Sequence, residues 1–266
     1  MKKHVNCKYF TTLDINLAFW SITLRIEDRH KLAFVTQDGH FQWTCLPFGL
    51  KTAPAIFQRI LSNIIRKNKL SELIVNYIDD ILIFSKNFEQ HIIHLTKLFE
   101  AILEEGFRLK LSKCSFAADS VKYLGHIISN NSITPLKDNL ISIKHFPVPR
   151  TQKNIRQFLG KINFYNKYIP NNSIILDPLH SLLRKGQKFE WSDECQKSFN
   201  KIKESLSSKP ILAIFDKNFP IHIYTDASIE GIGAVLKQSQ ENNEEKPVAY
   251  FSKTRTQKNI RQFLEK

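Results

Sequence analysis

The stretch VNYIDDILIFSK, residues 75–86, places two adjacent carboxylates, Asp79 and Asp80, inside an otherwise apolar run. The β-branched, aromatic and aliphatic residues on both sides predict two short strands. Because Asp tolerates the backbone conformations of tight turns, the pair predicts a hairpin between those strands. An ordinary solvated turn is one explanation, but adjacent like charges repel each other unless a cation or solvent intervenes. The rest of the sequence has to decide between these two interpretations.

Around the hairpin, the sequence predicts one α+β unit with an antiparallel sheet. Residues 1–50 alternate as strands do, and from Thr52 the apolar residues recur with helical spacing. A second helix is expected from about Asn87 to Glu105. Two short strand segments, FRLKL (107–111) and VKYLGHIIS (121–129), are expected to complete the sheet.

The second half of the sequence predicts helices followed by a small sheet. FPVPRT (146–151) reads as a linker, because two prolines in four residues resist both helix and central strand. Helices are predicted at Gln152–Tyr168 and Asp193–Leu206. Strands are predicted in PIHIYTDASIEGIGAVLKQ (220–238) and PVAYFSKT (247–254).

Composition indicates a folded, strongly basic protein. The 266 residues include 39 Lys and Arg against 25 Asp and Glu, a formal charge of +14, which favours a polyanionic partner such as nucleic acid. An anionic membrane is the rival partner. No long uncharged apolar segment or signal-peptide pattern is present, so the expectation is an intracellular protein that is not secreted and not membrane-bound. The four cysteines are far apart, which predicts reduced thiols and no zinc site.

Asp14 is the second informative carboxylate. It ends the apolar strand KYFTTL and begins LDINLAFW. If this strand lies beside the hairpin, Asp14, Asp79 and Asp80 converge at one sheet edge. Such an oxygen-rich site suits hard divalent cations, chiefly Mg²⁺. Two ions about 4 Å apart would activate a 3′-hydroxyl and stabilise a pyrophosphate leaving group.

The ordered motifs LDINLAFW, LPFGLKTAPAIFQRIL and YIDD resemble the reverse transcriptases of gypsy-like LTR retrotransposons. The resemblance continues through LKLSKCSF, VKYLGHIIS, IRQFLGKINFYNKYI, FEWSDECQKSF and IHIYTDASIEGIGAVL, so it covers nearly the whole sequence. It implies an α+β fold, with a right-hand polymerase palm and thumb followed by a truncated ribonuclease H-like α/β domain. The implied domains are a palm with partial fingers at 1–146, thumb and connection helices at 147–215, and the ribonuclease H-like domain at 216–266.

Site residues follow from the same resemblance. It implies that Asp14, Asp79 and Asp80 are catalytic and hold two Mg²⁺ or Mn²⁺ ions. Further residues are implied to contact the incoming nucleotide: Phe19, Phe48, Gly49 and Gln58.

Two of these nucleotide-binding candidates have a simpler alternative. Phe19 matches an aromatic gate against the ribose 2′-hydroxyl, although by position alone it could be a core residue. Gln58 could be a solvated residue on the polar face of its helix.

Tyr123, Leu124 and Gly125 match the hairpin that grips the primer end. Lys110 and Lys113 are implied to approach the phosphates, although each could be a solvated lysine. Asp226 matches the first metal-binding aspartate of a ribonuclease H domain. The other carboxylates of such a domain are not matched, so ribonuclease H is expected to be incomplete. TQKNIRQFL occurs twice, at 151–159 and 256–264, and the second copy replaces the expected ribonuclease H helix start.

The implied function is that of an RNA-directed DNA polymerase fragment of a retrotransposon Pol polyprotein. Its partners would be an RNA or DNA template with primer, dNTPs, and other Pol segments such as protease and integrase. It would act in a cytoplasmic particle or the nucleus. Because most of the fingers is not matched, the alternative is a non-catalytic nucleic-acid-binding remnant.

Overall fold

The computed structural model describes residues 6–207, 211–228, 231–240 and 244–254. The chain divides into two compact units, Lys3–Tyr123 and Leu124–Lys266. The second copy of TQKNIRQFL, at 256–264, lies outside the described residues.

The first unit combines a four-stranded antiparallel sheet, a separate hairpin and two long helices. Its described strands are β1 (Tyr9–Asp14), β2 (Ala33–Thr36), β3 (Gly39–Gln42), β4 (Ile74–Tyr77), β5 (Asp80–Ser85), β6 (Ser115–Ala118) and β7 (Ser120–Tyr123). Its described helices are α1 (Ile26–Arg29), α2 (Ala53–Lys67) and α3 (Phe88–Glu104), with 3₁₀ turns at His30–Leu32 and Leu111–Lys113.

Strands β5 and β1 are the two central strands of the sheet, whose order is β4-β5-β1-β6. Successive strand residues point to opposite faces. In β5 the four residues from Ile81 to Phe84 are all buried, so both faces of this strand are covered. β2 and β3 pair only with each other among the described strands.

Helices α2 and α3 cover one face of this sheet. Each presents an apolar stripe, and α3 starts at an N-cap where the Asn87 side chain accepts a hydrogen bond from the Gln90 N–H at 2.9 Å. The core between the sheet and these helices contains residues on or next to β1 and β5 and residues of α2 and α3, including Leu13, Ile15, Phe57, Leu61, Ile81, Ile83, Leu95 and Leu98. The predicted helices from Thr52 and from Asn87 are therefore confirmed.

The strand predicted at FRLKL is wrong. Leu109 makes a single bridge with Ile15, and the chain then enters the 3₁₀ turn Leu111–Lys113. The edge strand β6 takes the position beside β1, so FRLKL docks across the end of β1 instead of extending the sheet.

The second unit contains the remaining helices and strands. Its described strands are β8 (His126–Ser129), β9 (Ser132–Pro135), β10 (Leu212–Ala213), β11 (Ile221–Ala227), β12 (Gly231–Ser239) and β13 (Glu245–Thr254). Its described helices are α4 (Lys137–Lys144), α5 (Gln152–Asn163), α6 (Asn172–Ser181) and α7 (Asp193–Ser207), with a 3₁₀ turn at Asn166–Tyr168.

Antiparallel pairing organises the strands of the second unit. β9 pairs with β8 and β10, and β12 pairs with β11 and β13. No helix or strand covers 146–151, as predicted for FPVPRT. The mixture of helices and antiparallel sheets confirms the predicted α+β class. Within the described ranges, no helix has both the length and the apolar character needed to cross a bilayer.

His126 is a buried histidine at the start of β8. Its ring stacks on Phe164 at 5.0 Å between centroids, and its Nδ1 lies 3.1 Å from the Tyr168 hydroxyl. Burial, followed by the nearby charge of Lys167, lowers the pKa of His126 to about 4. The neutral imidazole is therefore the form that this packing stabilises.

We predict that the second unit loses stability on acidification. The pKa of His126 is lower in the folded state than its ordinary 6.5, so stability is retained above that value and lost as the pH falls towards about 4. The expected loss in the free energy of unfolding is up to about 3 kcal/mol. Urea unfolding between pH 7 and 4 measures it. His126→Gln should flatten this dependence, while the exposed His145→Gln should leave it unchanged.

Candidate active site

Asp14 and Asp80 face each other across two paired strands. Their Cα atoms are register partners in the β1–β5 ladder. The Ile15 N–H donates to the Asp79 carbonyl at 3.3 Å, so the next pair, Asp14 with Asp80, is a non-hydrogen-bonded pair. Side chains approach each other most closely in such pairs. The structure therefore brings together two carboxylates that are 66 positions apart in the sequence.

The two carboxylates lie on the face of the sheet that is turned away from the helices. Leu13, Ile15, Ile81 and Ile83 belong to the helix-covered core. Because side chains alternate between faces, Asp14 and Asp80 point to the opposite side. The residues that bury the strands on one face thus determine where the charges emerge on the other.

Asp79 lies in the turn that joins β4 to β5. Tyr77 and Asp80 are register partners, which leaves Ile78 and Asp79 as a two-residue loop. Ile78 has φ +54°, in the left-handed region. A β-branched residue rarely adopts this conformation, so the turn carries backbone strain next to the two aspartates.

Gln58 on α2 holds this strained turn. Its Oε1 accepts a hydrogen bond from the Ile78 N–H at 2.7 Å. Its Nε2 donates to Ser62 Oγ at 3.0 Å and, over a longer 3.5 Å, to the Asn76 carbonyl. The carboxamide is therefore bonded to the hairpin rather than solvated. Gln58 also satisfies a backbone donor that the sharp turn would leave unpaired.

Like charges perturb the ionisation of this site. Partial burial, followed by the charges of Asp79 and Asp14, raises the pKa of Asp80 above its usual range, although Lys113 opposes the shift. Lys113 Nζ donates to Asp14 Oδ2 at 3.0 Å, and this contact raises the pKa of Lys113. The carboxylates thus repel each other, and a cation already contacts one of them.

The donor chemistry of this pair fits a divalent cation. In the described part of the chain, no three His, Cys, Asp or Glu side chains are grouped closely enough to form a complete metal cage. Mg²⁺ usually binds through one or two carboxylates, with water and substrate phosphates in its other positions. Asp14 and Asp80 supply that share of ligands, and a cation would relieve the repulsion that raises the pKa of Asp80.

The candidate nucleotide-binding residues Phe19 and Phe48 form an aromatic group. Phe19 is half-buried, and its ring contacts Phe48 at 5.5 Å and Phe57 at 5.8 Å between centroids, both edge to face. Phe48 is 61% exposed and also contacts Trp20. Phe19 therefore connects the buried core to an exposed aromatic surface. Gly49 has φ +91°, which favours glycine at that turn.

Of the candidate primer-grip residues, Tyr123 lies close to the aspartate hairpin. Its buried hydroxyl is 3.4 Å from the Asp80 carbonyl and 3.5 Å from the Val75 carbonyl. Burial, followed by the charge of Asp80, raises the pKa of Tyr123. Leu124 and Gly125 both have left-handed φ, +46° and +75°, the pattern of a type I′ turn.

Asp226 lies on β11 of the second unit and is exposed. It is the register partner of Gly233, and together they line a cavity of about 210 Å³ with Asn171 and Tyr250. A Cβ on Gly233 would lie 2.6 Å from Asn171 Oδ1, so a larger residue at this position would displace the Asn171 side chain. No other carboxylate lines this cavity in the part of the chain that the structure describes.

Sequence reasoning missed two features of the site. The polar face of α2 identified Gln58 but not its bond to the Ile78 N–H, which depends on how α2 packs on the sheet. For Lys113 the resemblance implied an approach to the phosphates, with a solvated role as the alternative, but not the bond to Asp14, which spans 99 positions. Its one sequence signal is its place in LKLSKCSF, within the series of motifs.

Two family models match this chain. Residues 1–128 match reverse transcriptase (RNA-dependent DNA polymerase), and residues 191–263 match the RNase H-like domain found in reverse transcriptase. The Tf2-3 transposon polyprotein of Schizosaccharomyces pombe is 36% identical over 243 residues, and the Tf2-7 polyprotein is 35% identical over the same length. These matches cover 91% of this chain but only 18% of each polyprotein.

Solved structures of the foamy viral protease-reverse transcriptase share this fold. The complex with dsDNA aligns over 97% of this chain and 54% of the viral chain, with TM-score 0.86 and 26% identity. The complex with an RNA/DNA hybrid aligns over 96% of this chain and 34% of the viral chain, with TM-score 0.82 and 26% identity. The predicted right-hand polymerase fold, with its ribonuclease H-like part, is confirmed.

We predict that Gln58→Leu loosens the aspartate turn. The substitution leaves the partly buried Ile78 N–H without its acceptor, which should lower the free energy of unfolding by about 1–2 kcal/mol. Hydrogen exchange at the Ile78 amide should accelerate as well. Ser62→Ala is the matched control, because it removes a partner of Nε2 and leaves the Oε1 bond intact. Equal exchange rates in both variants would contradict the role of Gln58.

We also predict that Asp80→Asn stabilises the metal-free protein at neutral pH. Because the pKa of Asp80 is raised in the folded state, the contribution of this residue to stability is greatest at low pH and falls as the pH rises through that pKa. Removing the charge should add roughly 0.5 kcal/mol at pH 7, the usual scale for a cross-strand like-charge pair, and little at pH 3. Urea unfolding in EDTA measures this, with the exposed Asp119→Asn as control. A stability loss at pH 7 would count against the repulsion.

Proposed function

We propose that the first unit of this chain, which belongs to the reverse transcriptases of retrotransposon polyproteins, is the polymerase centre of an RNA-directed DNA polymerase. The reaction would join a dNTP to a primer 3′-hydroxyl with release of pyrophosphate. The chain spans only 18% of the length of the curated relatives. The polymerase activity of the chain by itself is therefore a proposal.

The observation that carries the proposal is the pair Asp14–Asp80 on the face of the sheet opposite α2 and α3. Two carboxylates held opposite each other destabilise the strand pair by roughly 0.5 kcal/mol, and a bound cation would remove that repulsion. Asp79, next to them in the turn, would be the third carboxylate of the centre. We infer that these three residues are the catalytic ones.

We infer that Asp14, Asp79 and Asp80 hold two Mg²⁺ ions, with Mn²⁺ as a substitute. The bound ions would supply charge neutralisation at the attacking hydroxyl and at the leaving pyrophosphate. The protein's own contribution is to fix the carboxylates. Backbone pairing of β1 with β5 fixes Asp14 against Asp80, and the bond from Gln58 holds the turn that contains Asp79.

We assign nucleotide selection to Phe19, Phe48, Gly49 and Gln58. Phe19 is held by Phe57 on its buried side, so its ring has a fixed position from which it could exclude a ribose 2′-hydroxyl. Phe48 offers an exposed ring to a base, and Gly49 leaves open space beside it. For Gln58 the bond to Ile78 supports an indirect role, through the position of the turn.

Tyr123, Leu124 and Gly125 are proposed to grip the primer end. Tyr123 supports this through its contacts with β4 and β5 near the aspartates. Asp226 is proposed as part of an incomplete ribonuclease H-like site, and the domain limits 146 and 215 remain predictions. The gypsy-like subtype and the location in a cytoplasmic particle or nucleus also remain predictions.

The proposed partners are a primed RNA or DNA template and dNTPs, with protease and integrase as further segments of the polyprotein. The formal charge of +14 supports a polyanionic partner. The foamy viral enzymes with the same fold were solved with an RNA/DNA hybrid and with dsDNA.

Primer extension on an RNA template tests the proposal. With Mg²⁺ and dNTPs, the chain should extend the primer, and the double variant Asp79→Asn, Asp80→Asn should lower the rate by at least about 1,000-fold, since it removes most of the charge that holds the ions. Template binding should persist in this variant, because it removes negative charge near a polyanion. Equal extension by both proteins would overturn the proposal. Salt-dependent binding without extension by either protein would favour the alternative, a nucleic-acid-binding remnant.

A further inference from the structure

In the described part of the chain, Lys113 is the cationic side chain that contacts the group formed by Asp14, Asp79 and Asp80, through Asp14. Its Nζ lies 3.0 Å from Asp14 Oδ2, and the side chains are 57% and 15% exposed, respectively. The partly buried carboxylate is therefore bound by a lysine whose stem remains in solvent.

The backbone of the segment that precedes Lys113 is hydrogen-bonded to the backbone at and near Asp14. The Lys110 N–H donates to the Asp14 carbonyl at 2.9 Å, and the Asn16 N–H donates to the Arg108 carbonyl at 2.8 Å. A single 3₁₀ turn, Leu111–Lys113, then carries the lysine back towards the Asp14 carboxylate. The same segment thus binds both the main chain and the side chain of Asp14, which distinguishes this contact from a chance surface ion pair.

We propose that Lys113 is a positioning residue whose ammonium takes the place of a divalent cation on Asp14 and has to leave before an ion can bind there. An ammonium has three donors and no acceptor, so it can bind the carboxylate but cannot ligate a metal. Mg²⁺ needs carboxylate oxygens at 2.0–2.1 Å, and a positive charge on the same oxygen opposes its approach.

The exposed stem of Lys113 makes this exchange feasible. Lysine carries its charge on a flexible four-carbon chain, and an ion pair open to solvent contributes little net stability. The Lys113 side chain can therefore change rotamer and place its ammonium in solvent without disturbing β1 or the 3₁₀ turn. In the unloaded protein it would offset part of the repulsion among Asp14, Asp79 and Asp80.

This role for Lys113 rests on the proposed function, since it requires Asp14 to be a metal ligand. Lys113→Met keeps the length and apolar character of the stem but removes the competing charge. We expect the variant to bind Mn²⁺ about two- to fivefold more tightly than the unmodified chain, the scale of one exposed ion pair. Lys113→Arg, which keeps the charge, should bind Mn²⁺ much as the unmodified chain does.

The readout is the electron paramagnetic resonance signal of free Mn²⁺, titrated with the full chain in the absence of nucleic acid and nucleotide. Lys110→Met is the matched control, because it removes the same charge from the same segment while its side chain has no ion pair with Asp14 among the described residues. Thermal unfolding of each variant checks that it is folded.

The outcomes separate the two levels of inference through a further variant, Asp14→Asn. If Asp14→Asn abolishes Mn²⁺ binding and Lys113→Met does not exceed Lys110→Met, the role of Lys113 is wrong and the metal site stands. If Asp14→Asn leaves Mn²⁺ binding unchanged, the metal assignment fails, and the role of Lys113 fails with it. Tighter binding in Lys113→Met alone, lost again when Asp14→Asn is added, supports both.

Discussion

The pairing of β1 with β5 is the interaction on which the first unit depends. It buries Leu13 and Ile15 beside Ile81 and Ile83 under two helices, and the alternation of a strand then turns Asp14 and Asp80 to the other face. Apolar burial drives this pairing, and the repulsion between two carboxylates opposes it only weakly. The core can therefore hold a charge pair that would not assemble by itself.

The turn next to this pair combines strain with support. Ile78 has a backbone conformation that β-branched residues rarely adopt. Gln58, on the neighbouring helix α2, accepts a hydrogen bond from the Ile78 N–H. Strain of this kind persists when surrounding structure fixes it. A helix buried against the sheet thus fixes the position of Asp79, which neither the hairpin sequence nor its charges would fix.

Cations complete the balance of charge in this site. Burial and like charges disfavour the ionised form of Asp80, and the charge of Lys113 offsets part of that effect. In the proposed exchange, Lys113 leaves Asp14 and an ion takes its place, while the backbone of the site does not change. The rigid part of the site is then the β1–β5 ladder, and the adjustable part is an exposed side chain.

The sequence by itself determined the aspartate hairpin and the two long helices, because periodicity and turn chemistry are local properties. The apolar run around Asp79 and Asp80, the amphipathic helices and the ordered motifs were sufficient to predict the α+β class. That Asp14 lies opposite Asp80, without a group of three carboxylates in the described part of the chain, was decided by the pairing of β1 with β5. The sequence could not determine contacts between distant segments. FRLKL has the composition of a strand, yet β6 occupies the place beside β1, and FRLKL instead carries Lys113 to Asp14 across 99 positions. Only the tertiary structure decides such contacts, because they depend on which segments compete successfully for the same edge and face of the sheet.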